Sequence, residues 1–243
     1  MALLNVRVAL VSSRSFPYHA LRMKSKLIVA LDVDSYARAT ALIEEVGTLV
    51  DLFKVGSQLF TRVGPQIVEF LHSQGKECFL DLKFHDIPST VARAVESAAA
   101  LRVHMLTLHT CGGEEMMRAA AAVSNRPLLL GVTVLTSVAG DVRQEVAQRA
   151  TLAKECGLDG VIASPHEIGW ARKATDETFI IVTPGIRPAG EQAGDQKRVL
   201  TPAEAVRAGA NYLVVGRPII AAKDPARAAR RVISEIASGA DSA

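Results

Sequence analysis

Short apolar runs and longer amphipathic stretches alternate along the chain. Eight runs rich in Val, Ile, Leu and Phe are predicted to be β-strands: 27–31, 52–55, 78–82, 103–108, 128–134, 160–163, 179–182 and 212–215. Their apolar positions are largely continuous, which is typical of strands that are buried on both faces. The pattern therefore predicts a sheet that is covered on both sides.

The stretches between these runs carry helix signals. Residues 35–47 have apolar side chains at helical spacing and end in Gly47. Capping boxes with proline at the first helical position occur at 164–167 and 201–204, and Asp224–Pro225 is a similar helix start. Helices are therefore predicted between the strands.

Strands that alternate with helices favour parallel pairing through right-handed crossovers. Eight such units fit an α/β fold of the (β/α)8 TIM-barrel type, whose usual length is ~250 residues. The alternative is a doubly wound open sheet, which would require a glycine-rich fingerprint after the first strand. The sequence ALDVDS at 30–35 is not such a fingerprint. We therefore expect one barrel domain over residues 23–243.

The amino-acid composition argues against several classes of protein function. The chain is 49% hydrophobic and 22% charged with a net charge of +3, and it has no apolar run of the ~18 residues that a membrane span needs. Aromatic residues make up only 5%, so platforms for stacking nucleic-acid bases are not evident. Three cysteines without C-x-x-C spacing indicate neither a disulfide framework nor a zinc site. We expect a cytoplasmic protein that binds neither membrane nor nucleic acid.

The N-terminal segment does not follow the repeating pattern. Residues 1–31 contain no Asp or Glu but several Arg and Lys residues, as in a transit peptide. The alternative, which we favour, is that Met23 is the natural start. Either way, residues 1–22 are predicted to be an extension outside the fold.

In a TIM barrel the chemistry takes place at the carboxyl ends of the strands. The residues at or near those ends are polar or charged: Asp32, Lys54, Asp81, Lys83, His109, Thr136, Ser164, Arg187 and Arg217. This set of polar and charged residues indicates a catalytic or binding site at the carboxyl face.

Three of these charged residues, together with Asp86, are predicted to form one network. Asp81 and Lys83 are two residues apart on the third strand, so their side chains point the same way, and Lys54 ends the neighbouring strand. With Asp86 they make an alternating Lys–Asp–Lys–Asp set, in which each charge stabilises the next. Ordinary solvated ion pairs are the alternative for any single pair, but four such groups on adjacent strand ends favour a functional site.

The last two units indicate a phosphate site. Gly216 and Arg217 end the eighth strand, where barrels often bind phosphate. The connection at 183–200 is long and contains three glycines together with Arg187 and Gln196. Such a loop at the catalytic face is a candidate lid.

Six motifs, one per strand and in order, resemble orotidine 5′-phosphate decarboxylase of the bacterial type. They are ALDVDS at 30–35, FKVG at 53–56, DLKFHDIPST at 81–90, GVTVLTS at 131–137, TPGIR at 183–187 and VGRPI at 215–219. The resemblance covers the chain from about residue 26 to about residue 236. It implies removal of CO₂ from orotidine 5′-monophosphate (OMP) to give UMP, with no cofactor and no metal.

The resemblance also implies residue roles. Lys83 would be the proton donor, Asp81 would face the departing carboxylate, and Lys54 and Asp86 would complete the network. Asp86 and Ile87 would reach the site of a second subunit, so a homodimer with shared sites is expected. The other substrate contacts implied by the motifs are Asp32 and Lys54 for the ribose, Thr136 for the pyrimidine, Arg187, Gln196, Gly216 and Arg217 for the phosphate, and Thr90 from the DLKFHDIPST motif.

Two other functions remain open from the sequence. A magnesium-dependent decarboxylase of 3-keto-gulonate phosphate shares the D-x-K-x-x-D pattern; its acids would hold a metal, and His109 could assist. A non-catalytic barrel that senses nucleotides would bind UMP and would have no need of Lys83.

Overall fold

A computed structural model describes residues 26–135, 138, 140–190 and 199–241. Eight parallel strands close into a barrel in sequence order, and the last strand pairs with the first. The strands are β1 (Lys26–Ala30), β2 (Leu52–Gly56), β3 (Glu77–Phe84), β4 (Met105–His109), β5 (Leu128–Val132), β6 (Gly160–Ile162), β7 (Ile180–Thr183) and β8 (Tyr212–Val215). The TIM-barrel prediction is confirmed, and the open sheet is excluded.

Helices lie between the strands, as the capping signals indicate. They are α1 (Tyr36–Val46), α2 (Ser57–Val63), α3 (Gln66–Ser73), α4 (Pro88–Ala100), α5 (Glu114–Ala121), α6 (Arg143–Glu155), α7 (Ile168–Ala174), α8 (Pro202–Arg207), α9 (Arg217–Ile220) and α10 (Pro225–Asp241). The box of Thr201 and Glu204 caps α8. The box of Ser164 and Glu167 caps a short 3₁₀ turn that leads into α7.

The strands are buried on both faces because two apolar layers meet them. The larger layer fills the space between strands and helices. The smaller fills the barrel interior with Ile28, Ala30, Leu52, Phe79, Met105, Leu130, Ile180, Val182, Tyr212 and Val214. The interior is therefore a packed core, and any site must lie above it at the carboxyl ends of the strands.

Strand β3 departs from the predicted boundary. It continues to Phe84, so Asp81 and Lys83 lie within the strand rather than at its predicted end at residue 82. The pairing register of β3 with β4 shifts between Leu80 and Phe84. Leu80 pairs with Leu106 and Phe84 pairs with Leu108, so four residues of advance along β3 match two along β4. This irregularity is a bulge, a feature that is over-represented at barrel rims and next to active sites.

Some predictions fall outside the described residues. They concern the extension at residues 1–22, the pyrimidine contact Thr136 and the phosphate contact Gln196. The domain boundary at residue 23 likewise stays a prediction. Within the described ranges, no helix has both the length and the apolar character required to cross a membrane.

Candidate active site

Four charged side chains form a row at the mouth of the barrel. The Lys54 ammonium lies 2.9 Å from Asp32 Oδ1 and 3.6 Å from Asp81 Oδ2. The Lys83 ammonium lies 2.7 Å from Asp81 Oδ1. The row is therefore Asp32–Lys54–Asp81–Lys83, with signs that alternate. Three of its members belong to the predicted network, and Asp32 takes the place at the end of the row.

The middle of this row is withdrawn from water. Lys54 is 9% exposed and the side chain of Asp81 is 13% exposed. Burial alone raises the pKa of Asp81, but Lys54, Lys83 and the hydrogen bonds of Lys83 and Thr107 outweigh it. The pKa of Asp81 is therefore lowered, and the group is a carboxylate at neutral pH.

Lys83 adopts an unusual backbone conformation. Its φ is +52°, in the left-handed region that non-glycine residues rarely occupy. Such a residue stores roughly 1–3 kcal/mol of strain and persists only where its surroundings hold it. It lies in the bulge of β3, so the strain falls at a predicted catalytic residue.

Thr107 is a buried contact of this bulge that sequence reasoning missed. Its Oγ1 accepts a hydrogen bond from the Lys83 backbone N–H at 2.9 Å and donates one to Asp81 Oδ1, also at 2.9 Å. The sequence of β4 gave only a partial signal, which is the direction of the Thr107 side chain. Thr107 is two residues from both Met105 and His109 on β4, so the three side chains point to the same side. Met105 faces the barrel interior.

Gly56 is a second residue that sequence reasoning did not assign. A Cβ atom at this position would lie 2.9 Å from the Lys54 Nζ and 3.5 Å from Asp32 Oδ1. Any side chain there would push Lys54 out of its place between the two carboxylates. The FKVG motif therefore ends in glycine for reasons of space.

Three of the predicted phosphate residues, Arg187, Gly216 and Arg217, lie in the segments that follow strands β7 and β8. Arg187 is 9% exposed, and its backbone N–H donates to the Leu200 carbonyl at 3.1 Å. This contact ties the two ends of the long connection together. A Cβ atom on Gly216 would lie 3.5 Å from Asp32 Oδ2, so this glycine lies beside the charged row, and exposed Arg217 begins α9 directly after it.

His109 ends β4 close to the same mouth. Its ring centroid is 5.5 Å from that of His85. Burial lowers the pKa of His109, and electrostatic interactions with the neighbouring Lys83 and Arg149 side chains lower it further. His109 is therefore a neutral imidazole at pH 7 and adds no charge to the row.

Comparison with known proteins identifies the family. The profile described as "Orotidine 5'-phosphate decarboxylase / HUMPS family" matches residues 25–232. The chain belongs to this family. Proteins named orotidine 5′-phosphate decarboxylase from Moorella thermoacetica and Syntrophotalea carbinolica are 48% and 47% identical to it. The alignments cover 88% of the chain and 92% and 96% of those relatives.

Solved structures of family members agree with the barrel. The orotidine 5′-phosphate decarboxylase of Lactobacillus acidophilus is 35% identical, with a TM-score of 0.76 over 87% of the chain and 99% of that structure. The enzyme of the same name from Pyrococcus horikoshii is 29% identical, with a TM-score of 0.74 over 87% of the chain and 99% of that structure. The family resemblance seen in the sequence is thus confirmed.

Three predicted site residues of this family member stand apart from the row. Asp86, Ile87 and Thr90 are exposed, and Ile87 is 63% exposed. Asp86 Oδ1 accepts the backbone N–H of Ile87 at 2.7 Å, and no ion pair joins Asp86 to Lys54 or Lys83. Within one chain, Asp86 therefore does not join the predicted network.

The geometry defines what this barrel mouth can do. Two ammonium groups and two carboxylates are fixed in a partly buried site, and such fixed charges stabilise a developing charge without reorganising. No group of three or more His, Cys, Asp or Glu side chains within the described ranges could hold a metal ion. The space between Asp32 and Asp81, which a bridging cation would take, is filled by the Lys54 ammonium.

Proposed function

We propose that the protein decarboxylates orotidine 5′-monophosphate to UMP without a cofactor, as the last step of de novo pyrimidine nucleotide synthesis in the cytoplasm. One observation carries this proposal: the Asp32–Lys54–Asp81–Lys83 row at the mouth of a barrel of this family. The names of the relatives support the substrate.

The proposed reaction places one demand on the site. When the bond between C6 and the carboxylate breaks, CO₂ leaves and the electron pair stays on C6, in the plane of the ring. No neighbouring carbonyl delocalises that pair, so the protein has to stabilise it electrostatically. The Lys83 ammonium lies beside Asp81 and supplies that charge. It then donates a proton to C6, and water returns a proton to the amine.

Asp81 has a complementary role in the proposal. It is ionised, because its pKa is lowered, and it would lie beside the carboxylate of the substrate. Repulsion between the two carboxylates would be relieved as CO₂ departs. Lys54 bonds Asp32 and lies 3.6 Å from Asp81, so it holds both carboxylates in place.

The phosphate supplies binding energy that the reacting end of the substrate cannot. We assign it to Arg187, Gln196, Gly216 and Arg217. The nearness of Gly216 to Asp32 supports this assignment, because the ribose would span the two groups. We assign Asp32 and Lys54 to the ribose, and Thr136 and Thr90 to further substrate contacts.

The structure weighs against a magnesium-dependent decarboxylase of 3-keto-gulonate phosphate. Its acids would have to share a cation, and Lys54 lies between Asp32 and Asp81.

To test the substrate, purified protein is incubated with OMP and, separately, with 3-keto-gulonate phosphate. We expect UMP and CO₂ from the first and no change in the second. Tight UMP binding without turnover of OMP would instead favour a non-catalytic barrel that senses nucleotides.

We further propose a homodimer in which Asp86 and Ile87 complete the site of the partner. Asp86 is exposed and separate from the row of its own chain, and its neighbour Ile87 is a large apolar side chain left in water. A second subunit would cover Ile87 and bring Asp86 toward Lys83. The Lys–Asp–Lys–Asp network would then be formed by two chains.

Hybrids between two inactive variants test the shared site. Lys83→Ala and Asp86→Ala subunits should each be inactive alone, but mixing them should restore about a quarter of wild-type activity, because half of all sites in statistically formed dimers lie in hybrids and half of those keep both residues. Turnover and subunit exchange are measured on the same sample. Hybrids that have exchanged subunits and remain inactive would contradict a shared site.

Removal of the N-terminal extension should be neutral. The family profile begins at residue 25 and the first strand at Lys26, so a protein that starts at Met23 keeps every described element. We expect unchanged kcat/KM and a melting temperature equal to that of the full chain. A large loss in either would show that residues 1–22 contribute to the barrel.

A further inference from the structure

Thr107 connects the two central residues of the site through one hydroxyl group. In the bulge of β3, four backbone steps face only two on β4, so not every N–H group of β3 finds a carbonyl across the ladder. The Lys83 N–H finds the Thr107 hydroxyl instead, at 2.9 Å. Thr107 itself lies between Leu106 and Leu108, the two β4 residues that flank the shift in register.

The same hydroxyl also fixes the carboxylate. Its oxygen accepts the Lys83 N–H, and its hydrogen goes to Asp81 Oδ1 at 2.9 Å. Asp81 Oδ1 also accepts a hydrogen bond from the Lys83 ammonium at 2.7 Å. The other carboxylate oxygen, Asp81 Oδ2, faces the Lys54 ammonium. The backbone of Lys83, the carboxylate of Asp81 and the Lys83 ammonium are thus held in one closed arrangement.

We propose that Thr107 is a positioning residue for the reaction, which holds Lys83 in its left-handed conformation and sets the direction of Asp81 toward the substrate. This inference rests on the proposed function. The hydroxyl is fully buried, so water cannot take its place when it is removed. A residue of the same shape without the hydroxyl would leave the Lys83 N–H unpaired and would remove one of the hydrogen bonds that orient Asp81.

Two variants at this position separate the hydroxyl from simple packing. Thr107→Val keeps the shape and removes the hydroxyl, whereas Thr107→Ser keeps the hydroxyl and loses a methyl group. We expect Thr107→Val to lower kcat by roughly 10- to 100-fold, the range for one lost hydrogen bond to a charged group. Affinity for UMP should change little, and Thr107→Ser should recover most of kcat.

The pH profile gives a readout that a structural role would not move. The Thr107 hydroxyl favours the ionised form of Asp81, so without it the pKa of Asp81 rises. The acidic limb of kcat/KM should therefore move to higher pH in Thr107→Val and stay in place in Thr107→Ser. Thr110→Val is the matched control, because Thr110 is also buried but donates only to the Val132 carbonyl.

The outcomes separate this inference from the proposed function. Wild-type protein that leaves OMP unchanged would overturn the proposed function. Active wild-type protein with equal kcat and equal acidic limbs in Thr107→Val and Thr107→Ser would overturn the role of Thr107 alone. If Thr107→Val does not fold, hydrogen exchange of the wild-type Lys83 amide decides: protection supports the bond to Thr107, and exchange at the rate of an exposed amide contradicts it.

Discussion

Replacement of Lys83 with alanine should abolish turnover of OMP but leave the barrel folded. The side chain is 35% exposed and lies above the packed interior, so its loss removes little buried apolar area. Asp81 keeps the Lys54 ammonium and the Thr107 hydroxyl as partners. Loss of the proposed proton donor and of its charge together should lower kcat by on the order of 10⁴-fold or more.

The controls for this variant lie on the same chain. Lys76 directly precedes β3 at the opposite end of the barrel, where it pairs with Asp51. Lys76→Ala should therefore leave kcat unchanged. Calorimetry should find that Lys83→Ala still binds UMP, and circular dichroism should find it folded. Near-native turnover by Lys83→Ala would mean that another group donates the proton.

Arg187→Ala should lose activity in a way that depends on the phosphate of the substrate. The guanidinium belongs to a buried residue on the segment that follows β7, and the phosphate would give it a charge-assisted partner. Truncation of one member of such a contact costs roughly 2–5 kcal/mol, here in transition-state stabilisation. The loss should appear in kcat/KM, although Arg187 touches no reacting atom in the proposal.

A substrate without the phosphate provides the comparison. Orotidine should be turned over slowly, and equally well by the wild type and by Arg187→Ala. Arg118→Ala is the matched control for loss of an arginine, because Arg118 is exposed and, among the residues that the structure describes, pairs with Glu114 of α5 and the Glu155 carbonyl. Equal losses with OMP and orotidine would leave Arg187 as a structural residue and remove it from the phosphate site.

Most of the fold and the centre of the site could be predicted because they follow from short-range rules. Continuous apolar strands between capped helices specify a barrel, and barrels present their carboxyl ends to the substrate. Side chains two residues apart on a strand point the same way, which brings Asp81 and Lys83 to one side. Lys54 on the neighbouring strand and Asp32 after the next one lie beside them.

The remainder depends on contacts between strands, which one strand's sequence does not encode. Nothing in the residues around Lys83 favours a left-handed conformation; the bulge arises from the register of β3 against β4. Thr107 was therefore missed, because its role exists only opposite that bulge. Gly56 was missed because the Lys54 ammonium takes the space beside it only when Asp32, which follows the neighbouring strand β1, holds that ammonium in place.

Asp86 shows another limit. Its place in the motif suggests membership of the network, yet in one chain it caps the N–H of Ile87. The spacing within one chain does not say which subunit supplies each residue. In the proposed homodimer a second subunit joins Asp86 to the row, and the hybrid experiment tests that arrangement.

In the proposed reaction, fixed charges at the barrel mouth decarboxylate OMP without a metal. The most direct measurement follows the loss of OMP absorbance with protein that has been stripped of metal and assayed in EDTA. We expect full conversion to UMP at a rate equal to that of untreated protein. A rate that collapses in EDTA and returns with added Mg²⁺ would contradict it.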